Sequence, residues 1–360
     1  MRETSPDNSN QLQPGTASFP DLIQNEAALD EVLTRPRPAL VEFMRGLSSP
    51  LAVLGAGGKM GPTLALLAKR APEASGHSLE VIAVSRFSDG PSQQWLQDRG
   101  VRTFRADLLE RKEVARLPDA ANLIFLVGLK FGTSQNPALT WAVNTVVPTQ
   151  IMERYAGARL VALSTGNVYP LLPANSPGAT EDHTLTPLGE YANAAVARER
   201  IFEYFSQKNG TSVALLRLNY ATELRYGILV DIARKIASHE PIQLDNGYFN
   251  CIWEGDANEM ILRSLELASA PASAWNLTSP AKLNVREMGE QLGMLFGAAP
   301  KFSGCETEMA LLSDSTKLCA VLGAPSTSVE NMLRWTAHWV TLGGRWLDKP
   351  THFEVRDGLY

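Results

Sequence analysis

Residues 51–61 read Leu51-Ala52-Val53-Leu54-Gly55-Ala56-Gly57-Gly58-Lys59-Met60-Gly61, and this stretch decides the fold. Its four leading apolar residues predict a buried strand, its glycines predict a tight turn, and the apolar spacing of residues 64–68 predicts a helix. A glycine turn between a strand and a helix lets the backbone approach a pyrophosphate, toward which the helix directs its free N–H groups. The stretch therefore predicts that Gly55, Gly57, Gly58, Lys59, Met60 and Gly61 contact a dinucleotide. A turn without a ligand is the alternative.

The strand-then-helix alternation continues beyond this turn. Apolar runs predict further strands at 79–84, 101–104, 122–127, 159–163 and 213–218, each beside an amphipathic stretch. Repetition of this unit predicts an α/β fold of the Rossmann type, in which a doubly wound parallel sheet carries a smaller C-terminal substrate lobe.

Composition and pattern divide the chain into five expected parts. They are a flexible N-terminal tail (1–20), an accessory helical segment (21–48), a dinucleotide-binding Rossmann domain (49–220, with a returning strand near 248–254), a mainly substrate-binding lobe (221–342) and an ordered C-terminal tail (343–360). The N-terminal tail is rich in Ser, Asn, Gln and Pro and has little to bury. In the accessory segment, Pro36 and Pro38 interrupt the apolar pattern, which predicts two short helices.

The overall composition excludes several classes of partner. The 360 residues include 33 basic and 38 acidic ones, which are interspersed and give a net charge of -5. Because no basic stripe stands out, we expect no nucleic-acid partner. No apolar run approaches the roughly 20 residues that cross a bilayer, and no signal pattern opens the sequence, so we expect no membrane partner and a cytoplasmic location. The cysteines, Cys251, Cys305 and Cys319, lack paired spacing, so we expect neither a metal site nor a disulfide.

The end of the second predicted strand, at Ser85-Arg86-Phe87, bears on the choice of dinucleotide. A protein that prefers NAD usually places a carboxylate here to bind the adenosine ribose, and this sequence has none. Arg86, together with Lys59 from the glycine turn, is expected to pair with a 2′-phosphate instead. We therefore predict NADP as the preferred cofactor and NAD as the alternative. That both cations are merely solvated is the competing interpretation.

Several further segments follow one another in the order of a known superfamily. They are Arg105-Ala106-Asp107-Leu108, Asn122 to Gly128, Leu163 to Tyr169, Thr180 to Tyr191, Tyr248 to Asp256 and Asp314 to Pro325. With the glycine turn, they make residues 51–342 resemble the extended short-chain dehydrogenase/reductase superfamily of epimerases and dehydratases. The resemblance implies that Asp107, beside Leu108, binds the adenine amino group, and that Val127 and Gly128 border the cofactor.

The resemblance also implies a catalytic set, from which this chain departs at one position. In the superfamily a Ser or Thr positions the reacting oxygen and a Tyr acts as general acid or base. A Lys four residues after the Tyr lowers the pKa of that Tyr and holds the nicotinamide ribose. Thr165 and Tyr191 match the first two members, but Ala195 stands where the Lys is expected. A tyrosine without a nearby cation has a pKa of about 10 and is a poor base at neutral pH.

Three interpretations of the missing lysine stay open at this point. The protein binds a dinucleotide without hydride transfer, or another cation substitutes, or the tyrosine acts only as a hydrogen-bond donor. Lys130, which follows the fourth strand, is the first candidate for a substitute in the catalytic set. Arg198 is the second, although three residues beyond Ala195 on a helix it is expected to point elsewhere and to be solvated.

Polar residues after the later strands indicate the substrate class. Tyr169, Asn219 and Arg225 are expected to line the substrate cleft, because ligands bind at the carboxyl edge of a parallel sheet. An arginine there can hold a carboxylate or hydroxyls, which favours a sugar-like or sugar-acid substrate. The competing interpretations are a packed loop aromatic for Tyr169 and an internal salt bridge for Arg225. Asn144 is expected to be structural.

The function expected from these features is that of an NAD(P)-dependent oxidoreductase, epimerase or dehydratase of carbohydrate metabolism that works by hydride transfer. The alternative is a non-catalytic dinucleotide-binding protein of the same fold, acting as a sensor or binding a partner, because the lysine is absent. Superfamily members are commonly dimers, which implies a homodimer.

Overall fold

The computed structural model describes residues 19–88, 90–130, 132–349, 351–356 and 358. The flexible tail expected at 1–20 lies outside these residues except for Phe19 and Pro20. Both contact Trp335: the Phe19 and Trp335 rings meet edge to face with centroids 5.5 Å apart, and Trp335 Nε1 donates to the Pro20 carbonyl at 3.0 Å. Residues 19 and 20 are therefore packed against the body of the protein.

Helices cover the large sheet and build much of the second lobe. In chain order they are α1 (Glu26–Thr34), α2 (Pro38–Arg45), α3 (Gly61–Glu73), α4 (Pro91–Gln97), α5 (Arg111–Val114), α6 (Pro137–Arg154), α7 (Gly189–Asn209), α8 (Ile228–Ala237), α9 (Glu254–Arg263), α10 (Val285–Phe296), α11 (Thr316–Leu322) and α12 (Val329–Thr341). None of the described helices is both long enough and apolar enough to cross a membrane.

The strands of the described residues form one large sheet and several two-stranded ones. In chain order they are β1 (Leu51–Leu54), β2 (Val81–Ser85), β3 (Arg102–Arg105), β4 (Asn122–Phe125), β5 (Arg159–Thr165), β6 (Leu172–Pro173), β7 (Ser212–Leu218), β8 (Ala221–Thr222), β9 (Pro241–Gln243), β10 (Tyr248–Phe249), β11 (Ile252–Trp253), β12 (Ser273–Leu277), β13 (Leu283–Asn284), β14 (Lys301–Ser303) and β15 (Met309–Ala310).

The large sheet has the order β12-β7-β5-β4-β1-β2-β3, and every neighbouring pair in it is parallel. Alternate residues of β1 belong to opposite layers. Leu51 and Val53 pack in one hydrophobic core with α3, whereas Ala52 and Leu54 pack in another with α6 and α7. Helices cover both faces of the sheet, which is why its central strands are mainly apolar. The doubly wound Rossmann fold predicted from the sequence is confirmed.

One predicted element of this sheet was wrong. The returning strand expected near 248–254 is instead two short pairings, in which β10 pairs with β13 and β11 pairs with β8. The strand that returns to the large sheet is β12, which pairs with β7 from Ser273↔Ala214 to Leu277↔Leu218. The run 248–254 is too short for that role because α9 already begins at Glu254.

The accessory segment forms two helices, α1 and α2, as predicted, and they are separated at residues 35–37. Leu29 and Leu33 of α1 are buried in the hydrophobic core of the second lobe, together with Trp253 and Trp335. Helix α1 therefore contributes to the core of the second lobe, which also contains the buried faces of α8, α10 and α12, whereas α2 buries Leu40 and Met44 in the core of the large sheet.

The C-terminal strap, which we define as residues 351–356 and 358, joins the two lobes. Phe353 is 1% exposed within the core of the second lobe. Thr351 donates to Asp231 of α8 through its backbone N at 2.9 Å and through Oγ1 at 2.6 Å. At the other end, Gly358 lies against the backbone of Gly189 at the start of α7. The strap therefore runs from the second lobe to a helix of the Rossmann domain.

Candidate active site

Two adjoining cavities, each of about 230 Å³, lie at the carboxyl edge of the large sheet. Gly55, Gly58, Leu126 and Gly128, which directly follow β1 and β4, border both of them. Each cavity is named after one residue that lines that cavity and not the other. The Arg86 cavity is lined also by Ser85, Arg86, Phe87, Asp107, Leu108 and Val127, and the Tyr191 cavity is lined also by Lys59, Met60, Lys130, Thr165, Tyr191, Arg198, Asn219 and Tyr226.

The glycine turn between the cavities requires glycine for steric reasons. A Cβ atom on Gly61 would lie 2.5 Å from the backbone of Ala56, and one on Gly57 would lie 2.8 Å from Ser85 Oγ. Gly55 has a φ of 87°, which other residues rarely adopt. The start of α3 is therefore held close to the end of β1, at the border of both cavities.

The Arg86 cavity brings together Arg86 and Asp107, both of which were assigned from the sequence to the adenosine half of a dinucleotide. Arg86 and Asp107 follow β2 and β3, and their Nη1 and Oδ2 atoms lie 3.9 Å apart. The Arg86 side chain is 63% exposed and keeps its donors accessible. Asp107 Oδ1 accepts from the backbone N of Leu109 at 3.0 Å, which orients the carboxylate within the turn.

Lys59 does not reach this cavity, so its predicted contact with a 2′-phosphate was wrong. Its ammonium group lies 3.1 Å from Glu254 Oε2, donates to the Ala221 carbonyl at 3.0 Å and stands 4.1 Å from the centroid of the Tyr226 ring. Glu254 is 1% exposed, and a carboxylate so buried is stable only with a cation beside it. Lys59 therefore contributes to the wall of the Tyr191 cavity.

Thr165 and Tyr191, the two predicted members of the catalytic set, both line the Tyr191 cavity. Thr165 ends β5, and its Oγ1 accepts from the backbone N of Asn167 at 3.2 Å. Tyr191 is the third residue of α7. The two side chains come from neighbouring elements because β5 and α7 pack together. In this arrangement a hydroxyl and a phenol are presented to a ligand from one wall.

Arg198 occupies the same cavity wall, so the prediction that it is solvated was wrong. Its side chain is 3% exposed, and its Nη1 donates to Asn144 Oδ1 at 2.8 Å and to the Val127 carbonyl at 3.1 Å. The guanidinium also hydrogen-bonds Tyr191. Burial lowers the pKa of Arg198, while Tyr191 and Glu199 oppose that shift. Asn144 has the structural role expected of it, because it connects α6 with α7.

Lys130 lines the Tyr191 cavity beside these groups. Its ammonium group stands 5.9 Å from the centroid of the Tyr220 ring. Burial and the neighbouring charge of Lys59 lower the pKa of Lys130 to about 8, although Asp231 acts in the opposite direction. Lys130 therefore has a charge that changes near neutral pH, within reach of a bound ligand.

The three residues predicted to bind substrate have different surroundings. Asn219 lines the Tyr191 cavity, and its Nδ2 donates to Asn250 Oδ1 at 2.7 Å. Tyr169 lines a separate neighbouring cavity, and its hydroxyl is engaged by Arg217 and Asn276, each at 2.8 Å. Burial raises the pKa of Tyr169 to about 12. Tyr169 is therefore a packed aromatic that supports the wall rather than a residue of the Tyr191 cavity.

Arg225 lies away from both cavities, so its prediction as a substrate anchor was wrong. Its guanidinium contacts Glu223 at 3.1 Å, Asp30 at 3.2 Å and Glu26 at 3.5 Å. Two of these carboxylates belong to α1, a segment distant in sequence. Arg225 therefore connects the accessory segment to the second lobe.

Sequence reasoning missed three residues that shape the Tyr191 cavity. Tyr226 packs on Lys59, and burial raises the pKa of its phenol. Glu254 pairs with Lys59, and Thr351 of the strap lines the cavity directly. Weak signals existed for Tyr226, which follows the sixth predicted strand, and for Glu254, which falls in a segment that resembles the superfamily. In the described part of the chain, no group of three His, Cys, Asp or Glu side chains is arranged to hold a metal.

Three solved structures illustrate the likeness of the fold. UDP-glucuronic acid 4-epimerase from Bacillus cereus, solved with UDP-glucuronic acid and NAD, has a TM-score of 0.68 and 15% identity, covering 81% of this chain and 99% of that one. UDP-glucose 4-epimerase from Thermotoga maritima, solved with UDP-glucose, has a TM-score of 0.66 and 17% identity, covering 81% and 98%. UDP-glucose 4-epimerase from Thermus thermophilus, solved with NAD, has a TM-score of 0.65 and 21% identity, covering 80% and 97%.

At these identities the likeness establishes the fold alone. No curated protein sequence matches the chain. A family model does match it, over residues 51–237, which is more than half of its length and runs from β1 to the end of α8. The matched part contains the glycine turn, Thr165, Tyr191 and Arg198. The chain therefore belongs to the NAD dependent epimerase/dehydratase family, a family of enzymes.

Proposed function

We propose that the protein is an NAD(P)-dependent epimerase, dehydratase or oxidoreductase that acts on a hydroxylated, sugar-like or sugar-acid substrate. One observation carries the proposal: Thr165 and Tyr191 line a single cavity that shares its border with the glycine turn. A dinucleotide lying along that turn would place its reactive end in the cavity that holds the phenol. Family membership supports the same conclusion.

Four residues of the Tyr191 cavity have a task in this proposal. The nicotinamide, when bound, supplies an acceptor and donor of hydride. Tyr191 exchanges a proton with a hydroxyl or carbonyl of the substrate, and Thr165 Oγ1 holds the same oxygen by a hydrogen bond. Lys130 brings a positive charge to the ribose or to an acidic group of the substrate. Asn219 forms the floor on the substrate side.

The finer choice between NADP and NAD depends on Arg86, because Lys59 is engaged elsewhere. The similar structures described above that contain a dinucleotide contain NAD. Our proposal of an NADP preference therefore makes a sharp prediction for calorimetric titration with both cofactors. Arg86→Asp should weaken NADP binding by about tenfold or more and leave NAD binding within a few-fold. Equal loss for both cofactors, or tighter binding of NAD by the parent protein, would remove the preference.

The substrate proposal is tested by turnover. The purified protein is incubated with cofactor and with UDP-sugars, free sugars and sugar acids, and products are separated by chromatography. Tyr191→Phe should lower turnover by about 100-fold or more, because the phenol oxygen is lost as an acid and base. The matched control is Tyr204→Phe on the same helix, where the side chain is 56% exposed and outside the cavity. Equal activity of both variants would contradict the role of Tyr191.

The alternative function is a non-catalytic dinucleotide-binding protein, and Ala195 is the observation that favours it. Tight binding of NADP or NAD without turnover of any substrate in the panel would support this alternative. Absence of dinucleotide binding would reject both functions, since both depend on the glycine turn.

We also propose that the protein is a cytoplasmic homodimer. The cysteines of the described chain are free thiols, which suits a reducing compartment. Exposed apolar side chains lie on α6 and α7, namely Leu139, Trp141, Val146 and Tyr204. Their burial against a second copy is tested by analytical ultracentrifugation, in which Val146→Glu should shift a dimer toward the monomer. A monomeric parent protein would refute the dimer.

A further inference from the structure

We propose that Arg198 supplies the cation that Ala195 lacks: its guanidinium holds the phenol oxygen of Tyr191 and stabilises the charge left there when the proton departs. This proposal rests on the proposed function only in assigning the pair a part in catalysis. The contact itself joins Tyr191 and Arg198, which both belong to α7.

Helix geometry places these two residues on one face. Seven residues turn an α-helix by about 700°, which is about 20° short of two full turns, so Arg198 follows Tyr191 along the same side. The rise over seven residues is about 10 Å, and side chains on a helix tilt toward its N-terminus. A long arginine side chain therefore extends back toward Tyr191. Ala195, one turn after Tyr191, adds only a methyl group between them.

The guanidinium is fixed by uncharged acceptors. Asn144 Oδ1 accepts from Nη1, and Asn144 Nδ2 donates in turn to the Thr140 carbonyl at 2.8 Å. The carbonyl of Val127 accepts from the same Nη1. A Cβ on Gly128 would lie 2.6 Å from Nη1, so the residue after Val127 must be glycine for the guanidinium to fit. The glycine that was expected to approach the cofactor also makes room for Arg198.

The charge of Arg198 has no carboxylate partner among the ion pairs of the described residues. Glu199, the nearest acidic neighbour on the helix, is paired with Arg217 at 2.8 Å. A buried cation without a counter-ion is unfavourable, which agrees with the lowered pKa of Arg198. An ionised Tyr191 provides the missing negative charge. The two groups therefore stabilise each other's charged forms.

Other titratable groups face Tyr191 as well and must be separated from Arg198 by experiment. Tyr226 stands before α8, and Lys130 and Lys59 line the same cavity. Lys59 is neutralised by Glu254. Lys130 responds chiefly to burial, Lys59 and Asp231. Among the described residues that line this cavity, Lys130 is thus the competing cation to control for, and Lys130→Met is the matched variant.

The experiment follows the ionisation of Tyr191 in the protein without cofactor or substrate. Tyrosine labelled with carbon-13 at Cζ is incorporated, the Tyr191 resonance is assigned with Tyr191→Phe, and the midpoint is measured by NMR titration. In Arg198→Gln, which still donates hydrogen bonds but has no charge, the midpoint should rise. In Arg198→Lys it should rise less. Lys130→Met should move it less than Arg198→Gln does.

The same variants are assayed for turnover across pH. Arg198→Gln should lower kcat at neutral pH by about 100-fold and shift the pH profile upward, and Arg198→Lys should recover part of the loss. An unchanged Tyr191 midpoint in a folded Arg198→Gln, or a larger shift in Lys130→Met, overturns the proposal. If Arg198→Gln does not fold, Arg198→Lys decides, because an unchanged Tyr191 midpoint in that variant would equally refute the pairing. The titration needs no substrate. If no substrate is turned over but Arg198→Gln still raises the Tyr191 midpoint, the proposed function is refuted and this inference stands.

Discussion

Lys130 and Arg198 place two cations in one cavity, and their surroundings give them different properties. Arg198 is held by Asn144 and Val127 and hydrogen-bonds a phenol, so its position is fixed. Lys130 has its pKa lowered to about 8, so its charge is lost just above neutral pH. Groups facing Lys130 are Lys59, Asp231, Tyr191, Tyr226 and Arg198. We expect Lys130 to act on bound anions and Arg198 to act on Tyr191.

This difference predicts a pH dependence of cofactor binding. Below about pH 8, Lys130 is charged and attracts the anionic dinucleotide; as the pH rises through that value the attraction is lost, so affinity should fall by up to about tenfold. Lys130→Met should bind with the weaker affinity at every pH and show no such fall. Calorimetric titration at several pH values measures this. Lys208→Met, an exposed change on α7, is the control and should behave as the parent; a parent affinity that is flat with pH would contradict the prediction.

At the scale of elements, α1 is held to the second lobe by charge as well as by apolar packing. Arg225 joins Glu223, which is buried beside β8, to Glu26 and Asp30 of α1. Burial raises the pKa of Glu223, and the charge of Arg225 opposes that shift. Removing the cation leaves a buried negative charge without a partner.

Arg225→Met should therefore lower the free energy of unfolding by about 3 to 5 kcal/mol. Because Arg225 lies outside both cavities, the variant should keep the KM of the parent at temperatures where it is folded. Urea denaturation and steady-state kinetics measure the two quantities. Arg345→Met removes an exposed partner of the same Glu26 and should cost less than about 1 kcal/mol. A large rise in KM without loss of stability would restore Arg225 as a substrate anchor.

The C-terminal strap is held by a buried aromatic ring. Phe353→Ala should cost about 3 kcal/mol because the ring leaves a cavity in the core of the second lobe. The freed strap should also become sensitive to protease, which mass spectrometry detects as cleavage near the C-terminus. Val355→Ala, a change two residues away at a partly exposed position, should alter neither property. Equal proteolysis of both variants would show that the ring does not hold the strap.

The elements were predictable to different degrees for physical reasons. Most strands of the Rossmann domain contain apolar runs because both faces of the sheet are covered. These runs were sufficient to predict β1, β2, β4, β5 and β7. In contrast, β12 is only partly buried at Ser273, Ala274 and Trp275, and it lacks such a run. Resemblance drew attention to 248–254 instead. The order of the segments that resemble the superfamily gave their positions along the chain, but it did not show which strand pairs with which.

At the scale of the whole molecule, residues that line the two cavities were predictable where a short stretch of sequence identifies them. The glycine turn, Thr165, Tyr191 and Asp107 were identified because each has a local sequence context. Lys59 and Arg225 were misplaced because their partners, Glu254 and Asp30, lie about two hundred residues away along the chain. The expectation that Arg198 is solvated was wrong because it compared Arg198 with Ala195, three residues earlier on the helix. Tyr191, seven residues earlier, lies on the same face as Arg198.

The two lobes share residues so extensively that we expect them to unfold together. The chain leaves the Rossmann domain after β7 and returns as β12, and Ile252, Leu277 and Leu318 pack in the same core as Leu51. A dinucleotide that spans both cavities at about 100 times its Kd should stabilise the folded state by about 2.7 kcal/mol. Calorimetry should show one transition that moves upward by about 3 to 4 °C. AMP, which reaches only the Arg86 cavity, should move the same single transition less. Two transitions, of which the dinucleotide moves only one, would show that the lobes are independent and that the Tyr191 cavity does not take part in binding.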